Sequence, residues 1–197
     1  MEQLIESICR GEGLARSEEL VQNLKRAAEH LRSYRDGSGL IERTEMIEET
    51  HRLLMDKLMP RGATKAGEYS LKPRIDLQTG HRYPVRLTKT EVEDRVDAIL
   101  DKYNSNFSRQ GLEATADLIC ELLAEHPFGD GNGRLCRLLA DHALGSMGED
   151  GDSFPIWSDL TPPMQSYQKR GSTQEMIKIL ERARLRDTPR FVSFEHF

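Results

Sequence analysis

No uninterrupted apolar run in this 197-residue chain approaches the roughly 20 residues that a bilayer span needs. Its first residues, Met1-Glu2-Gln3-Leu4-Ile5-Glu6, carry acid where a secretory signal carries base. The expectation is a soluble, cytoplasmic protein. Basic excess is also missing: Lys plus Arg total 28 against 33 Asp plus Glu, a net charge of −5, with the signs interleaved. A general nucleic-acid-binding role is disfavoured. Cysteine is scarce, with Cys9, Cys120 and Cys136 an odd number at wide spacing, each on or beside an apolar helix face. Buried reduced thiols are expected, ahead of metal ligation or a nucleophile. Internal repeats and low-complexity segments are absent. At 37% hydrophobic and 31% charged, the chain is polar yet has enough Leu, Ile, Val and Met for one core, and 1–197 reads as a single domain.

What is present is helical period. Leu4, Ile5 and Ile8 mark a short first helix that breaks at Arg10-Gly11-Glu12-Gly13. Ser17 is an N-cap candidate for a second, carrying Leu20, Val21, Leu24, Ala27, Ala28 and Leu31. A third starts near Thr44, places Ile47, His51, Leu54, Met55 and Leu58 on one face and stops at Pro60. From Arg61 to Leu87 the helical period is lost, and Arg74 to Leu77, Thr79-Gly80 and Arg82 to Val85 read as an exposed hairpin with Pro84 on an edge strand. Thr88 and Glu91 have capping-box spacing ahead of a fourth helix, and a polar turn separates it from a fifth that runs into His126-Pro127. Beyond a glycine-rich loop lies a sixth, then a loop from Gly148 to Pro163 with an extended piece at Phe154 to Trp157, and a last helix from Thr173.

The chemistry concentrates in His126-Pro127-Phe128-Gly129-Asp130-Gly131-Asn132-Gly133-Arg134-Leu135-Cys136-Arg137. Gly131 and Gly133 allow successive N–H groups to converge on phosphate oxygens, and the helix that follows adds its positive end. Arg134 and Arg137, three apart on one helix face, can add charge-assisted hydrogen bonds to the same polyphosphate, and Asn132 an amide hydrogen bond. Asp130 offers one carboxylate, which suits Mg²⁺ shared with phosphate and water rather than a closed cage. Histidine's ordinary pKa of about 6.5 makes His126 a neutral base at physiological pH. Phe128 reads as the anchor that buries the middle of the loop. His51, His81 and His142 read as packed or surface side chains, and Trp157 as packing rather than adenine stacking.

The order His-x-Phe-x-Asp-Gly-Asn-Gly-Arg-x-x-Arg at His126 to Arg137 resembles the signature of the Fic family. Thr44 to Met59 resembles that family's early core helix, Ala66-Gly67-Glu68-Tyr69 the segment after it (with Ser70 where many members have arginine), and Thr173 to Phe194 its closing helices. The resemblance implies an all-α fold with a small β-hairpin flap, a Fic core over 40–197, and Mg²⁺-dependent transfer of AMP from ATP to a Ser, Thr or Tyr hydroxyl of a target protein. It implies His126 as base, Asp130 as Mg²⁺ ligand, Gly131, Asn132 and Gly133 at the inner phosphates, and Arg134 and Arg137 at the outer ones. Thr79, Gly80, His81 and Arg82 would position the target, which docks by strand addition.

Many Fic proteins carry an inhibitory helix of pattern Ser/Thr-x-x-x-Glu-Gly/Asn, whose glutamate pairs with the second motif arginine. Residues 1–13 resemble its remnant, with Glu6-Ser7-Ile8-Cys9-Arg10-Gly11 aligned so that Arg10 holds the glutamate's place and Asn23 follows. Autoinhibition is then expected to be weak or absent. Glu12-Gly13 with Ser7 is one residue too long for the pattern, and Thr44 to Glu48 lies in a core helix. Use of another donor (UTP or CDP-choline), a non-catalytic nucleotide- or protein-binding role, and delivery into a host cell as an effector stay open at this point.

Overall fold

The computed structural model describes residues 1–34, 39–41, 43–75, 80–147, 156 and 159–185. Among them lie seven helices: α1 (Glu2–Gly11), α2 (Glu18–Ser33), α3 (Thr44–Leu54), α4 (Lys89–Glu125), α5 (Asn132–Ser146), α6 (Thr161–Arg170) and α7 (Gln174–Arg184). None is long and apolar enough to cross a membrane.

α5 is the central rod. It packs against α2, α3, α4 and α7, and every residue from Arg134 to Gly145 is buried. That explains its weak amphipathic pattern, since a helix covered on all sides has no polar face to keep. α1 and α2 are the opposite case. Leu4, Ile5 and Ile8, and then Leu24, Ala27 and Leu31, turn inward while charged residues face water. The Ser17 hydroxyl accepts the Leu20 N–H at 3.2 Å, as its capping role requires. α3 ends at Leu54, short of Pro60, in a turn where Lys57 takes a positive φ.

The fourth and fifth expected helices are the two arms of α4, which meet at a kink. Its capping box is complete: Thr88 Oγ1 accepts the Glu91 N–H and the Glu91 carboxylate accepts the Thr88 N–H. The break between its arms falls on the single residue Gln110 (φ −140°, ψ 52°). Asn104 clamps both backbone groups of Ile41 at 3.0 Å, tying the entry to α3 onto the first arm of α4.

The segment expected as loop to Pro163 already contains the start of α6, which has proline in its first turn and Gly171 at φ 66° ending it. The expected turn of the flap, at 76–79, lies outside the described residues. No sheet exists among the described residues, and the described part of 71–87 carries one isolated antiparallel bridge, Ile75 with Arg82, plus a 3.1 Å bond from the Tyr83 N–H to the Arg74 carbonyl. Pro73 and Pro84 carry no backbone N–H, so the stretch has two donors fewer. Thr79 lies outside the described residues, as does the Phe154-Pro155 and Trp157 part of the extended piece.

All three cysteines are buried and unpaired with one another. Burial pushes the Cys120 thiol up to about 12 and the Cys136 thiol further up, so neither is a ready thiolate.

Candidate active site

His126 is the C-cap of α4 and adopts a left-handed conformation (φ 51°, ψ 56°) that histidine rarely takes. Its N–H still bonds the Leu122 carbonyl at 2.9 Å, so the chain reverses at once into Pro127. The imidazole is half-buried, and the Tyr83 ring lies on it at 4.0 Å and 25° between planes. Tyr83 in turn meets His81 edge-on at 5.3 Å. The weakly built flap segment therefore touches the loop through stacked rings. Its feet are tied more firmly: Ser70 N–H donates to the Pro127 carbonyl at 2.8 Å, Arg74 Nη1 donates to the Gly129 carbonyl, and Arg86 makes a two-pronged pair with Glu125 at 2.9 and 2.8 Å.

Phe128 is fully buried between His51, stacked at 3.9 Å and 7°, and Tyr69, tilted at 5.1 Å. Burying that ring stabilises the loop by about 2 kcal/mol. Asn132 completes the anchor, and here the expectation of an amide aimed at phosphate is corrected. Its Oδ1 accepts the Phe128 N–H at 3.1 Å and its Nδ2 donates to the Phe128 carbonyl at 3.0 Å, with the side chain buried. The amide is spent on closing the loop, so what Asn132 offers an anion is its backbone N–H.

Gly131 caps α5 with φ 79°, and a Cβ there would sit 2.5 Å from Met55 Sδ. Both facts require glycine. The first α5 bond runs from the Leu135 N–H to the Gly131 carbonyl at 2.9 Å, so the N–H groups of Asn132, Gly133 and Arg134 have no partner within the helix and mark its positive end. Around that end, Asp130 Oδ1 accepts the Gly131 N–H at 2.7 Å and Oδ2 lies 3.2 Å from Arg134 Nη2. The Asp130 side chain remains 42% exposed, open to a further partner.

Among the described residues Arg137 is the most enclosed charge. Its side chain is 0% exposed, Nη1 donates to the Ile156 carbonyl at 2.7 Å, and Nε donates to Glu12 Oε1 at 3.2 Å. Glu12, the C-cap of α1, also lies against Gly133, where a Cβ would come within 2.5 Å of its Oε1. Gly11 meets the guanidinium equally closely, a Cβ there falling 2.5 Å from Arg137 Nη2. The alignment that put Arg10 in this place is corrected: Arg10 pairs with Glu6 one turn back at 2.6 Å, both about half exposed. α1 carries Arg10 outward, and only the turn after the helix brings a carboxylate to α5.

The structure thus gathers His126, Phe128, Asp130, Gly131, Asn132, Gly133, Arg134 and Arg137 around one helix end, with Gly80, His81 and Arg82 on the segment beside it. Sequence reasoning passed over Tyr83, Arg74 and Arg86, and set Glu12 aside. The available signal was Glu12-Gly13 itself, an acid at a helix break. His51, read as packing, is fully buried and contacts the loop directly. Among the described residues no group of three His, Cys, Asp or Glu stands ready to hold a metal.

A family model described as Fic/DOC family matches residues 40–144. Among solved structures, the chain resembles a Fic-domain-containing signaling protein of Bacteroides thetaiotaomicron, with TM-score 0.61, 19% identity, and coverage of 85% of this chain and 69% of that one. It also resembles a Fic family protein of Desulfovibrio desulfuricans, with TM-score 0.59, 17% identity, and coverage of 95% and 59%. Among curated proteins it is 32% identical over 161 residues to the ribonucleoside-diphosphate reductase small chain of Ostreid herpesvirus 1, a match covering 74% of this chain and 27% of that protein.

Proposed function

The chain belongs to the Fic/DOC family, and on that premise we propose that it is a protein adenylyltransferase, moving AMP from ATP to a Ser, Thr or Tyr hydroxyl of a target protein. The observation that carries this reading is the convergence of His126, Asp130, Arg134 and Arg137 on the unpaired N-terminus of α5. In the proposed reaction the target hydroxyl oxygen attacks the α-phosphorus, the bond from that phosphorus to the β-bridging oxygen breaks, and pyrophosphate leaves. His126 takes the hydroxyl proton, held in orientation by the Tyr83 ring on its face. The N–H groups of residues 132–134 and the helix end hold inner phosphate oxygens, and Arg134 and Arg137 hold the outer ones.

A single, partly exposed carboxylate beside a phosphate site suits Mg²⁺. Asp130 would hold it, and the ion would supply positive charge against the phosphates. The target would dock along 71–87, where Ile75, Val85 and Leu87 are exposed and the bridge leaves an edge for strand addition.

Glu12 takes the regulatory place that the Arg10 alignment left empty. Its carboxylate sits at the α5 N-terminus and against Arg137, where an outer phosphate would otherwise sit. The resting protein is therefore read as autoinhibited. The test is intact mass of the protein and of lysate proteins after incubation with Mg²⁺ and each nucleoside triphosphate separately, using wild type, Glu12→Gly and Glu12→Gly/His126→Ala. An AMP-sized addition with ATP, strongest in Glu12→Gly and lost with His126→Ala, is expected. Transfer from another triphosphate alone, or no transfer despite nucleotide binding, would overturn the adenylyl assignment.

A further inference from the structure

His51 belongs to α3, yet its ring is wired into the loop. Nε2 lies 2.7 Å from the Asp130 carbonyl oxygen, which can only accept, so Nε2 carries the proton. Nδ1 lies 2.9 Å from the Gly67 nitrogen, whose N–H can only donate, so Nδ1 carries none. Two backbone partners thus hold one neutral tautomer. The ring is fully buried, flat against Phe128, and 3.3 Å from where a Cβ on Gly131 would stand. The carbonyl it holds belongs to the peptide that enters the left-handed Gly131 turn.

We propose that His51 is a positioning residue for the anion loop, acting through the Asp130 carbonyl to set the Gly131 turn and aim the N–H groups of residues 132–134. The inference rests on reading the loop as the nucleotide site. The physical basis is that a carbonyl in a tight turn can rotate with its peptide, and a buried donor fixed from a neighbouring helix removes that freedom. Gly67 plays the second part: by occupying Nδ1 it prevents the other tautomer, which would point a lone pair at the Asp130 carbonyl.

Three substitutions separate the two ends of the ring. His51→Phe keeps the stack on Phe128 and loses both hydrogen bonds. His51→Gln keeps a donor at the reach of Nε2. His51→Asn reaches only the Gly67 side. ATP affinity is measured by calorimetry without divalent ions, in the Glu12→Gly protein, with melting temperature followed in parallel. His51→Phe and His51→Asn are expected to weaken ATP binding about tenfold, and His51→Gln to recover to within about threefold of the parent. Where the parent binds ATP, equal binding by all three, or recovery by His51→Asn rather than His51→Gln, would overturn the proposal.

Amide exchange in the nucleotide-free protein gives a readout independent of ATP. The Phe128 and Leu135 N–H groups are expected to exchange at least about tenfold faster in His51→Phe and near the parental rate in His51→Gln. If the parent binds no ATP but this pattern appears, the adenylyl reading falls and the positioning role stands. If the parent binds ATP and exchange is the same in every variant, the positioning role falls. A fourth measurement covers the case in which His51→Phe fails to fold: long-range ¹H–¹⁵N correlation in the wild type should show the Nε2–H tautomer, and any other tautomer rejects the proposal.

Discussion

The loop at 126–137 and the segment that faces it, 71–87, are neighbours built on opposite plans. In the loop three residues have their backbone held by side chains from beyond the turn: the Asp130 carbonyl by His51 of α3, both Phe128 groups by Asn132 of α5, and the Gly129 carbonyl by Arg74 from across the site. In the facing segment the ends are tied by Ser70, Arg74 and Arg86, while the described residues between carry one bridge and leave Ile75, Val85 and Leu87 exposed. The contrast separates two tasks. A phosphate group has fixed geometry and rewards a prebuilt cradle, whereas a polypeptide partner supplies its own backbone bonds and needs an edge that is not already used.

The comparison can be broken most severely at the base. His126→Ala should lower transfer at least about a thousandfold while leaving ATP affinity within about threefold, because on the proposed reading the imidazole acts on the hydroxyl and the cradle does not use it. Kinetics of target labelling set beside calorimetry would check this. Asn132→Ala removes both bonds that close the loop and leaves the Phe128 N–H and carbonyl buried without them. Denaturant melts should register a loss of about 3 kcal/mol. An equivalent truncation in the facing segment, Val85→Ala, should cost no more than about 0.5 kcal/mol.

Acid should distinguish the two regions next. Burial lowers the His51 pKa from its ordinary value to about 4. Its neutral form therefore stabilises the fold fully above pH ~6.5, and that stability is lost progressively as pH falls toward 4, amounting to about 3 kcal/mol. Melts of wild type and His51→Phe across this window should converge as pH drops. Glu12→Gly should raise adenylylation about 10- to 100-fold, the range of an ordinary coupling free energy, with no change in the flap's target preference. A smaller effect on the reaction belongs to Tyr83→Ala. It should lower kcat/KM for the target about tenfold and leave nucleotide affinity unmoved, and an equal loss in both would mean that the ring supports the cradle instead.

Much of this was legible in the sequence because chemistry-bearing residues in the loop are contiguous. The histidine, aspartate, glycines and arginines between 126 and 137 occupy one turn and one helix start, so spacing alone places them together. The use of each side chain was less legible. An asparagine amide serves a phosphate and a peptide equally well, and only the fold shows Asn132 closed on Phe128. Glu12 was set aside in favour of Arg10 because spacing along a helix predicts which face a residue takes, and Glu12 stands just past the helix, where the turn sets its direction. α6 was hidden by prolines in its first turn and by a polar sequence, TPPMQSYQKR, with few residues to mark an inner face. Of the expected hairpin, the Ile75–Arg82 bridge is present, and the turn at 76–79 lies outside the described residues.

The ion pair at Arg137 joins positions 125 apart in the chain. Translation runs from the amino end, so every nascent copy has made Glu12 long before Arg137 leaves the ribosome. Order of manufacture then matters as much as affinity. On the proposed reading, a chain whose arginine folds into place with the carboxylate already made has its nucleotide cradle guarded from the start.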